Sequence, residues 1–352
     1  MDMQEIPVEG YEKVVVAKDP DSGLHALIAV HDTTLGPALG GMRMWPYRSQ
    51  DEALTDVLRL SKGMTFKSAI AHTGLGGGKA VIIGPKSLKS RELFLAMGRF
   101  VDSLDGRYIT AEDVNIGIAD LEVVRESTRY VTGLSRQSGS SGNPSPYTAH
   151  GVYLGIRYCI ERVTGSADMA GRRVGILGVG AVGSALAHKL RESGAEVIAA
   201  DLDETRVSRL VDECGVQAAS EPDVLALDCD VFAPCALGGI LNDDTIPKLG
   251  CKIVAGAANN VLLEPRHGLM LRERGILYAP DYVINAGGII NVSVELLPGG
   301  YDEQVSLNRI ERIPAALAEI FDLAQERGIC TSEAADIRAE QILAEGRARK
   351  GA

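Results

Sequence analysis

Residues 173–183 read RVGILGVGAVG, and the residues after them, SALAHKLRESG, continue with the apolar spacing of a helix. The run RVGIL predicts a buried strand, so that Gly178, Gly180 and Gly183 form a GxGxxG pattern between a strand and a helix. The first glycine permits the turn, the second lets a pyrophosphate approach the backbone, and the third lets the helix pack closely on the strand. The phosphates would then lie at the positive end of the helix dipole. The stretch therefore predicts a βα unit that binds a dinucleotide.

A second predicted strand, AEVIAAD at 195–201, ends at Asp201, 18 residues after Gly183. A carboxylate at this position bonds the hydroxyls of the adenosine ribose and repels the 2′-phosphate of NADP. Arg206 could in principle hold such a phosphate, but Asp201 and Asp203 argue against it. The sequence therefore predicts NAD as the cofactor.

Further short, apolar, β-rich segments follow Asp201. The further predicted strands are DVFAPCA (230–236), KIVAGAA (252–258) and ILYAPDYVIN (276–285). Apolar strands that are buried on both faces and alternate with helices indicate a parallel sheet of βαβ units. We therefore expect an α/β protein that contains a Rossmann domain.

The first third of the chain mixes strands and helices. Predicted strands are HALIAVHD (25–32), LGGMRMW (39–45), KAVIIG (79–84) and RYITAED (107–113), and predicted helices span residues 51–70 and the segment from the cap Ser90 to about Leu104. Residues 133–147, GLSRQSGSSGNPSPY, contain almost no apolar side chain and predict a loop or hinge.

A chain of 352 residues suggests two domains, and the loop gives their boundary. We expect an α/β domain over 1–147 and the Rossmann domain over 148–325. The last segment, about 326–352, predicts an amphipathic helix that packs back on the first domain.

Composition narrows the possible partners and the compartment. The net charge of −11 and the pI of about 5.1 argue against a nucleic-acid partner. The six cysteines include no CxxC pair and no zinc spacing, so we expect reduced thiols and no metal site. The N-terminus does not resemble a signal peptide, and no apolar run is long enough to cross a membrane. These features favour a cytoplasmic protein without a membrane partner.

The most informative stretch of the first domain is MTFKSAIAHTGLGGGKAV, which starts at residue 64. It places Lys67 and Lys79 12 residues apart, the second directly after three glycines. A P-loop does not fit, because Thr73 stands where that motif needs glycine and Ala80 replaces the hydroxyl that would hold magnesium. A lysine that is crowded by glycines and lies near another cation loses its proton more easily and can act as a base. Asp113 could complete an acid–base pair, although spacing does not prove contact, and a surface turn is the alternative reading of the glycines.

Further informative motifs occur over most of the chain. They are TLGPALGGMRMWPYRS, MTFKSA…GLGGGKAVI, TAEDVN, SSGNPSPYTAHGV, VFAPCALGG, VAGAANN and YAPDYVINAGGIINV, in this order between about residues 24 and 295. In combination they resemble the Glu/Leu/Phe/Val dehydrogenase family, and its leucine branch most closely. The resemblance implies a substrate-binding and oligomerisation domain, a Rossmann NAD domain and a cleft between them. It also implies a homo-oligomer that converts an amino acid reversibly to a 2-oxo acid and ammonia.

The resemblance assigns three residues to the chemistry. Lys67 matches the lysine that binds the substrate carboxylate, and Lys79 matches the catalytic lysine that activates water for attack on an imine. Asp113 matches the residue that shuttles protons to and from the amino nitrogen. The other matches are Gly40 and Gly41 in the substrate cleft, Thr148 near the nicotinamide amide, and Asn259 at the nicotinamide and substrate.

Substrate choice depends on a few apolar positions. Leu39, Ala111, Ile289 and Val292 predict an apolar pocket, where a glutamate enzyme would offer a cation and a hydroxyl. Ordinary core packing is the alternative for each of them. We therefore expect leucine, valine and isoleucine as substrates, followed by phenylalanine and then tryptophan. Against this order, Asn115 resembles the phenylalanine branch.

Two other kinds of protein remain as alternatives. One is an inactive NAD-binding regulatory protein, although Lys67, Lys79 and Asp113 are all present. The other is a hydroxy-acid dehydrogenase, which would need a histidine–carboxylate pair that the six histidines do not suggest.

Overall fold

The computed structural model describes residues 1–236 and 238–351, with the side chain of Ser138 excepted. Leu237 in the motif VFAPCALGG and the last residue of the predicted helix 326–352 lie outside the described residues. The chain forms two compact units. Unit 1 contains Met1–Asn143, Val292–Asp302 and the chain from Ala339 onward, and unit 2 contains Pro144–Asn291 and Glu303–Arg338.

Unit 1 is built on a mixed sheet of six strands in the order β1-β2-β3-β5-β4-β6. The strands are β1 (Asp2–Glu5), β2 (Lys13–Asp19), β3 (Leu24–Asp32), β4 (Ala38–Trp45), β5 (Gly76–Ile83) and β6 (Tyr108–Glu112). β4 runs parallel to both β5 and β6, whereas β1, β2 and β3 pair in antiparallel fashion. The carboxyl ends of β4, β5 and β6 therefore lie at one edge of the sheet.

Helices cover both faces of this sheet. They are α1 (Gln50–Ile70), α2 (Arg91–Asp102) and α3 (Ile118–Arg125), and the side chains of Ser49 and Ser90 cap the first two. Successive strand residues alternate between two cores: Val14 and Val16 pack with α1, whereas Val15 and Ala17 pack with α2 and α3. Because both faces are covered, the inner strands β3 and β5 are buried almost throughout, whereas the edge strand β1 is mostly polar and exposed.

Unit 2 contains the predicted parallel sheet. Its strands are β7 (Arg173–Leu177), β8 (Glu196–Ala200), β9 (Gln217–Ala218), β10 (Cys229–Pro234), β11 (Cys251–Val254) and β12 (Leu277–Tyr278). All neighbours are parallel, and the order β12-β11-β10-β7-β8-β9 reverses direction between β7 and β10. Such a reversal is the switch point at which doubly wound sheets bind ligands.

The remaining helices belong mainly to unit 2. They are α4 (Ser145–Thr164), α5 (Ala181–Glu192), α6 (Glu204–Cys214), α7 (Glu221–Leu225), α8 (Arg266–Glu273), α9 (Asp281–Ile284), α10 (Gly287–Val294), α11 (Glu303–Ile310), α12 (Ile313–Arg327) and α13 (Thr331–Lys350). The boundary expected between 147 and 148 falls inside α4. Within residues 1–236 and 238–351, every helix is too short or too polar to span a lipid bilayer.

The strand predicted over 276–285 is wrong in its second half. Only Leu277 and Tyr278 pair with β11, and α9 begins directly after Pro280. Proline lacks the N–H that would continue the ladder. The Asp281 carboxylate accepts a hydrogen bond of 2.9 Å from the N–H of Val261, which binds the start of this helix to a neighbouring loop.

The end of α13 packs within unit 1. Arg347 Nη2 donates to Asp32 Oδ2 at 2.7 Å, and Lys350 Nζ donates to the carbonyl oxygen of Thr33 at 2.9 Å. A Cβ atom on Gly346 would stand 2.8 Å from the side chain of Leu35, so the helix lies close to the loop after β3.

Candidate active site

Lys79 lies in the middle of β5, with β3 and β4 on either side. Its side chain is only 8% exposed. The glycines before it let α1 pack directly on the strand, since a Cβ atom on Gly77 would overlap the backbone nitrogen of Thr65. Lys67 is half-buried in the last turn of α1. The helix that carries one predicted lysine therefore packs on the strand that carries the other.

Asp113 follows β6 and forms an ion pair with Lys79 through its Oδ2. The Nε of Arg43 lies 3.5 Å from the same oxygen, and Oδ1 accepts a hydrogen bond of 2.7 Å from the N–H of Val114. Burial alone would raise the pKa of Asp113, but the charges of Lys79 and Arg43, with the hydrogen bonds from Lys79 and Val114, hold that pKa below its ordinary value. The predicted lysine and aspartate therefore meet, and the carboxyl group is ionised.

The glycine pair in β4 makes room for this ion pair. A Cβ atom on Gly40 would overlap the carbonyl oxygen of Gly78 in β5, and one on Gly41 would stand 2.8 Å from the Cβ of Asp113. The hydroxyl of Tyr108 donates a 2.6 Å hydrogen bond to the carbonyl oxygen of Gly40. Side chains at the two positions would push β5 and Asp113 away, so both glycines are needed for close approach.

Arg43 also belongs to the site, although none of the sequence motifs assigned it a role. Its Nη1 lies 3.1 Å from Asp56 Oδ2 on α1, while its Nε faces Asp113. The hydroxyl of Tyr47 donates to the same Asp56 oxygen at 2.6 Å, and Arg59 donates to the other at 3.0 Å. Burial, followed by the hydrogen bond to Asp56, raises the pKa of Tyr47. A charged residue in the buried strand ALGGMRMW was the one sequence signal for this network.

The GxGxxG turn in unit 2 has the geometry that dinucleotide binding requires. Gly178 has a φ of +97°, and a Cβ atom there would stand 2.6 Å from that of Ala236. A Cβ atom on Gly183 would overlap the carbonyl oxygen of Gly178, whereas Gly180 faces open space. The turn and the helix therefore need Gly178 and Gly183 for their own packing, and Gly180 leaves the backbone accessible to a ligand.

A cavity of about 1060 Å³ opens at this turn, and its lining includes Gly178, Gly180 and Asp201. Asp201 Oδ2 accepts the N–H of Val179 at 2.7 Å, and Oδ1 accepts the N–H of Asp203 at 2.9 Å. These bonds hold the carboxylate at the end of β8. The open glycine, the cavity and this acceptor together fit a dinucleotide with free ribose hydroxyls.

Arg206, the residue that could favour NADP, forms ion pairs with two carboxylates. Its Nε lies 3.2 Å from Asp203 Oδ2, and its Nη1 lies 3.9 Å from Asp201 Oδ1. A 2′-phosphate would have to compete with both carboxylates for this guanidinium group. The charges around the cavity therefore favour NAD, as the sequence predicts.

Thr148 and Asn259 are both held next to the segment INAGG. Asn285 Nδ2 donates to Asn259 Oδ1 at 2.8 Å and to the carbonyl oxygen of Ala257 at 3.0 Å. A Cβ atom on Gly288 would stand 2.7 Å from Thr148 Oγ1. Asn285 therefore positions the predicted cofactor residue Asn259, and only its place in the INAGG motif hinted at such a role.

The four residues predicted for the apolar pocket are shielded from water to different degrees. Leu39 is fully buried in β4, where it pairs with Ile109, and Ala111 is half-buried and pairs with Gly41. Ile289 and Val292 are buried in α10. Met42, which follows the glycine pair in β4, is fully buried in the core under α2. Among the described residues, no group of His, Cys, Asp and Glu side chains could hold a metal ion.

Family models match both parts of the chain. The model described as "Glu/Leu/Phe/Val dehydrogenase, dimerisation domain" matches residues 11–130, and that of the "Glutamate/Leucine/Phenylalanine/Valine dehydrogenase" matches residues 200–351. The NAD-binding domain of D-isomer specific 2-hydroxyacid dehydrogenases matches residues 157–242. That third match covers the GxGxxG turn and its strands.

Relatives named as amino-acid dehydrogenases are similar over nearly the full chain. A leucine dehydrogenase from Geobacillus stearothermophilus is 51% identical over 95% of this chain and 90% of its own length. A valine dehydrogenase from Streptomyces virginiae is 47% identical over 96% and 95%. The crystal structure of the L-tryptophan dehydrogenase from Nostoc punctiforme superposes with a TM-score of 0.84 at 43% identity, over 96% of this chain and 97% of that one.

Proposed function

The chain belongs to the Glu/Leu/Phe/Val dehydrogenase family, and from that premise we propose that it deaminates leucine, valine and isoleucine. It is an NAD-dependent amino-acid dehydrogenase that acts on apolar amino acids. The buried ion pair between Lys79 and Asp113, enclosed by the glycines of β4 and β5, is the observation that carries the proposed chemistry.

The substrate would be oriented by the cations and the carboxylate of unit 1. Lys67 binds the substrate carboxylate, because an ammonium group forms a strong charge-assisted hydrogen bond with it. The amino nitrogen faces Asp113, whose ionised carboxyl group accepts a proton from it. NAD, which Gly178, Gly180 and Asp201 would hold, would supply the acceptor for the hydride of the substrate Cα. Loss of this hydride turns the substrate into an imine.

Hydrolysis of the imine then depends on Lys79. In its neutral form the lysine takes a proton from water, and the oxygen attacks the imine carbon. Asp113 returns a proton to the nitrogen and then, as a carboxylate again, accepts the proton of the new hydroxyl group. The C–N bond breaks as the C=O bond forms, which releases ammonia and the 2-oxo acid. The ion pair between the two residues supplies the path along which these protons move.

Leu39, Ala111, Ile289 and Val292 support an aliphatic substrate. None of them offers a charge or a hydroxyl to a substrate side chain. One methylene group changes binding by only about 1–3 kcal/mol, so we expect several aliphatic substrates rather than one.

Phenylalanine and tryptophan are the second candidates, and Asn115 is the position that resembles the phenylalanine branch. This residue has a φ of +64°, and its Nδ2 donates a 2.9 Å hydrogen bond to the carbonyl oxygen of Met44. Asparagine tolerates a positive φ better than most residues, which gives Asn115 a backbone role. The residue therefore offers no specific support for an aromatic substrate.

The test is NADH formation at alkaline pH with NAD and L-leucine, L-valine, L-isoleucine, L-phenylalanine, L-tryptophan, L-glutamate or L-lactate. We expect the highest kcat/KM with the branched aliphatic amino acids and none in Lys79→Ala, which should still bind NAD. Faster turnover of the aromatic substrates would overturn the proposed specificity but keep the reaction. Turnover of L-lactate alone, or of no substrate while NAD still binds, would contradict the proposed reaction itself.

We also propose that the enzyme works as a homo-oligomer, because residues 11–130 match a family model described as a dimerisation domain. Sedimentation or light scattering would show a mass that is a multiple of the chain mass of 37.3 kDa. A single-chain mass at micromolar concentration would contradict it.

A cytoplasmic location completes the proposal. The six cysteines are free thiols, four of them buried, which fits a reducing compartment. Cell fractionation would test this, and recovery of the protein outside the cytoplasmic fraction would contradict it.

A further inference from the structure

Arg43 and Asp56 extend the line of alternating charges that begins at Lys79 and Asp113. The Nε of Arg43 lies 3.5 Å from Asp113 Oδ2, and its Nη1 lies 3.1 Å from Asp56 Oδ2. One guanidinium group on β4 therefore contacts two carboxylates, one after β6 and one on α1. The reaction described above assigns no step to Arg43 or Asp56.

The two residues are held in place and are largely shielded from water. The side chains of Arg43 and Asp56 are 22% and 17% exposed. Tyr47 and Arg59 donate to Asp56, so both of its oxygens have partners besides Arg43. Burial would raise the pKa of Asp56, but the hydrogen bonds from Tyr47 and Arg59 and the charge of Arg43 lower it. Asp56 and Arg43 are therefore both charged at the pH values at which the reaction is measured.

Charged and titratable groups on three strands face Asp113. Lys79 lies on β5 and Arg43 on β4, whereas Glu112 and Tyr108 lie on β6, the strand that precedes Asp113. Burial, and then the charge of Asp113, raises the pKa of Glu112, and burial raises that of Tyr108. Among the described residues that face Asp113, Arg43 is thus a fixed cation beside the lysine that reacts.

We propose that Arg43 is a positioning residue and that Asp56 limits its effect, so that their opposite charges fix the pH at which the Lys79–Asp113 pair releases its proton. The inference rests on the proposed function, in which this pair moves the protons. Two groups in such close contact titrate as a unit. A cation at Arg43 favours loss of a proton from the unit, whereas an anion at Asp56 opposes it. Since deamination needs neutral Lys79, the two charges set where activity rises with pH.

The experiment measures kcat/KM for L-leucine and NAD against pH in Arg43→Met, Arg43→Lys, Asp56→Asn and the double variant Arg43→Met/Asp56→Asn. The rising limb is the part of this curve in which kcat/KM increases with pH. We expect Arg43→Met to move the rising limb to higher pH by about 0.5–1 unit and Asp56→Asn to move it to lower pH. Arg43→Lys keeps the charge and should restore most of the wild-type position. The double variant should lie between the two single variants.

Arg48→Met is the matched control. Arg48 pairs with Glu52 at 3.3 Å, but its side chain is 90% exposed. Water and salt screen such a pair, so its loss should leave the limb where it is. The control separates the effect of this arginine site from a general change in the net charge of the protein.

A lower kcat in Arg43→Met and Asp56→Asn without movement of the limb would overturn the inference, because it would show a structural role only. The proposed function would survive that result if Lys79→Ala and Asp113→Asn were inactive in the same assay. Wild-type kcat/KM in Asp113→Asn would instead remove the proton-transfer role on which both depend. If Arg43→Met fails to fold by circular dichroism, Asp56→Asn decides alone: a downward shift supports the inference and an unmoved limb overturns it.

Discussion

Gly41 lies directly against Asp113, because a Cβ atom on the glycine would stand 2.8 Å from the aspartate Cβ and 2.5 Å from the carbonyl oxygen of Glu112. We therefore expect Gly41→Ala to push Asp113 away from Lys79. A displacement of about 1 Å at a reacting group can cost about a hundredfold in rate, so kcat/KM for L-leucine should fall at least tenfold. Steady-state kinetics of the purified variant would measure this loss.

Gly63→Ala is the control for that substitution. Gly63 lies in α1, and a Cβ atom there would meet nothing within 4 Å. Alanine is favoured over glycine in a helix by about 1 kcal/mol, so this variant should keep its activity and melt slightly higher. Equal activity of the two variants would show that the space beside Asp113 is not required.

We expect alanine substitutions in the GxGxxG turn to have two different effects on stability. Gly180 faces open space, so Gly180→Ala should fold with a wild-type Tm but bind NAD at least several-fold more weakly, because the new methyl group occupies the approach of the pyrophosphate. Gly183→Ala should lower the Tm as well, since its Cβ atom would overlap the carbonyl oxygen of Gly178. Thermal melting and NAD titration by fluorescence would measure both properties, and similar Tm losses in the two variants would contradict this division.

Asp201 should control cofactor choice. Asp201→Ala removes the acceptor for a ribose hydroxyl and the charge that repels a 2′-phosphate, and it frees Arg206 from one of its two acids. We expect the KM for NAD to rise and the ratio of kcat/KM for NAD over NADP to fall by about tenfold or more. Asp203→Ala, which leaves Asp201 in place, should change the ratio much less. An unchanged ratio in Asp201→Ala would show that another group selects the cofactor.

Much of this architecture follows from short stretches of sequence. The GxGxxG turn, the strands around it and the capped helices of unit 1 depend on neighbouring residues, so local patterns predicted them. The pair of Lys79 and Asp113 could be inferred only with the family resemblance, because 34 residues separate two groups that the sheet brings together.

The contacts that the sequence did not reveal are those between distant elements. Arg43 on β4 meets Asp56 on α1, and Asn285 meets Asn259, through packing that no local period encodes. The strand predicted over 276–285 failed for a local reason instead, since its apolar residues continue past a proline that ends the ladder at Tyr278. Periodicity records which residues are apolar, whereas the proline and the acceptor at Asp281 determine where the strand stops.

The contact between Asp32 and Arg347 predicts a pH-dependent stability. Burial would raise the pKa of Asp32, but hydrogen bonds from Arg347 and from Thr34 lower it below 3.8, its ordinary value. A carboxyl group with a depressed pKa in the folded state stabilises the protein above its unfolded-state pKa, and this contribution disappears as the pH falls through the folded-state value. Because Arg347 is 60% exposed, we expect only about 1 kcal/mol from the contact, or about 2 °C in Tm.

Asp32→Asn and Arg347→Met should therefore both melt below the wild type between pH 5 and 7, and the difference should shrink below about pH 3.8. Arg349→Met is the control, because that side chain donates to a carbonyl oxygen of its own helix. Melting curves at a series of pH values would measure all four proteins. A difference that persists unchanged at pH 3 would mean that shape, rather than the charge of Asp32, holds the end of α13 against the loop after β3.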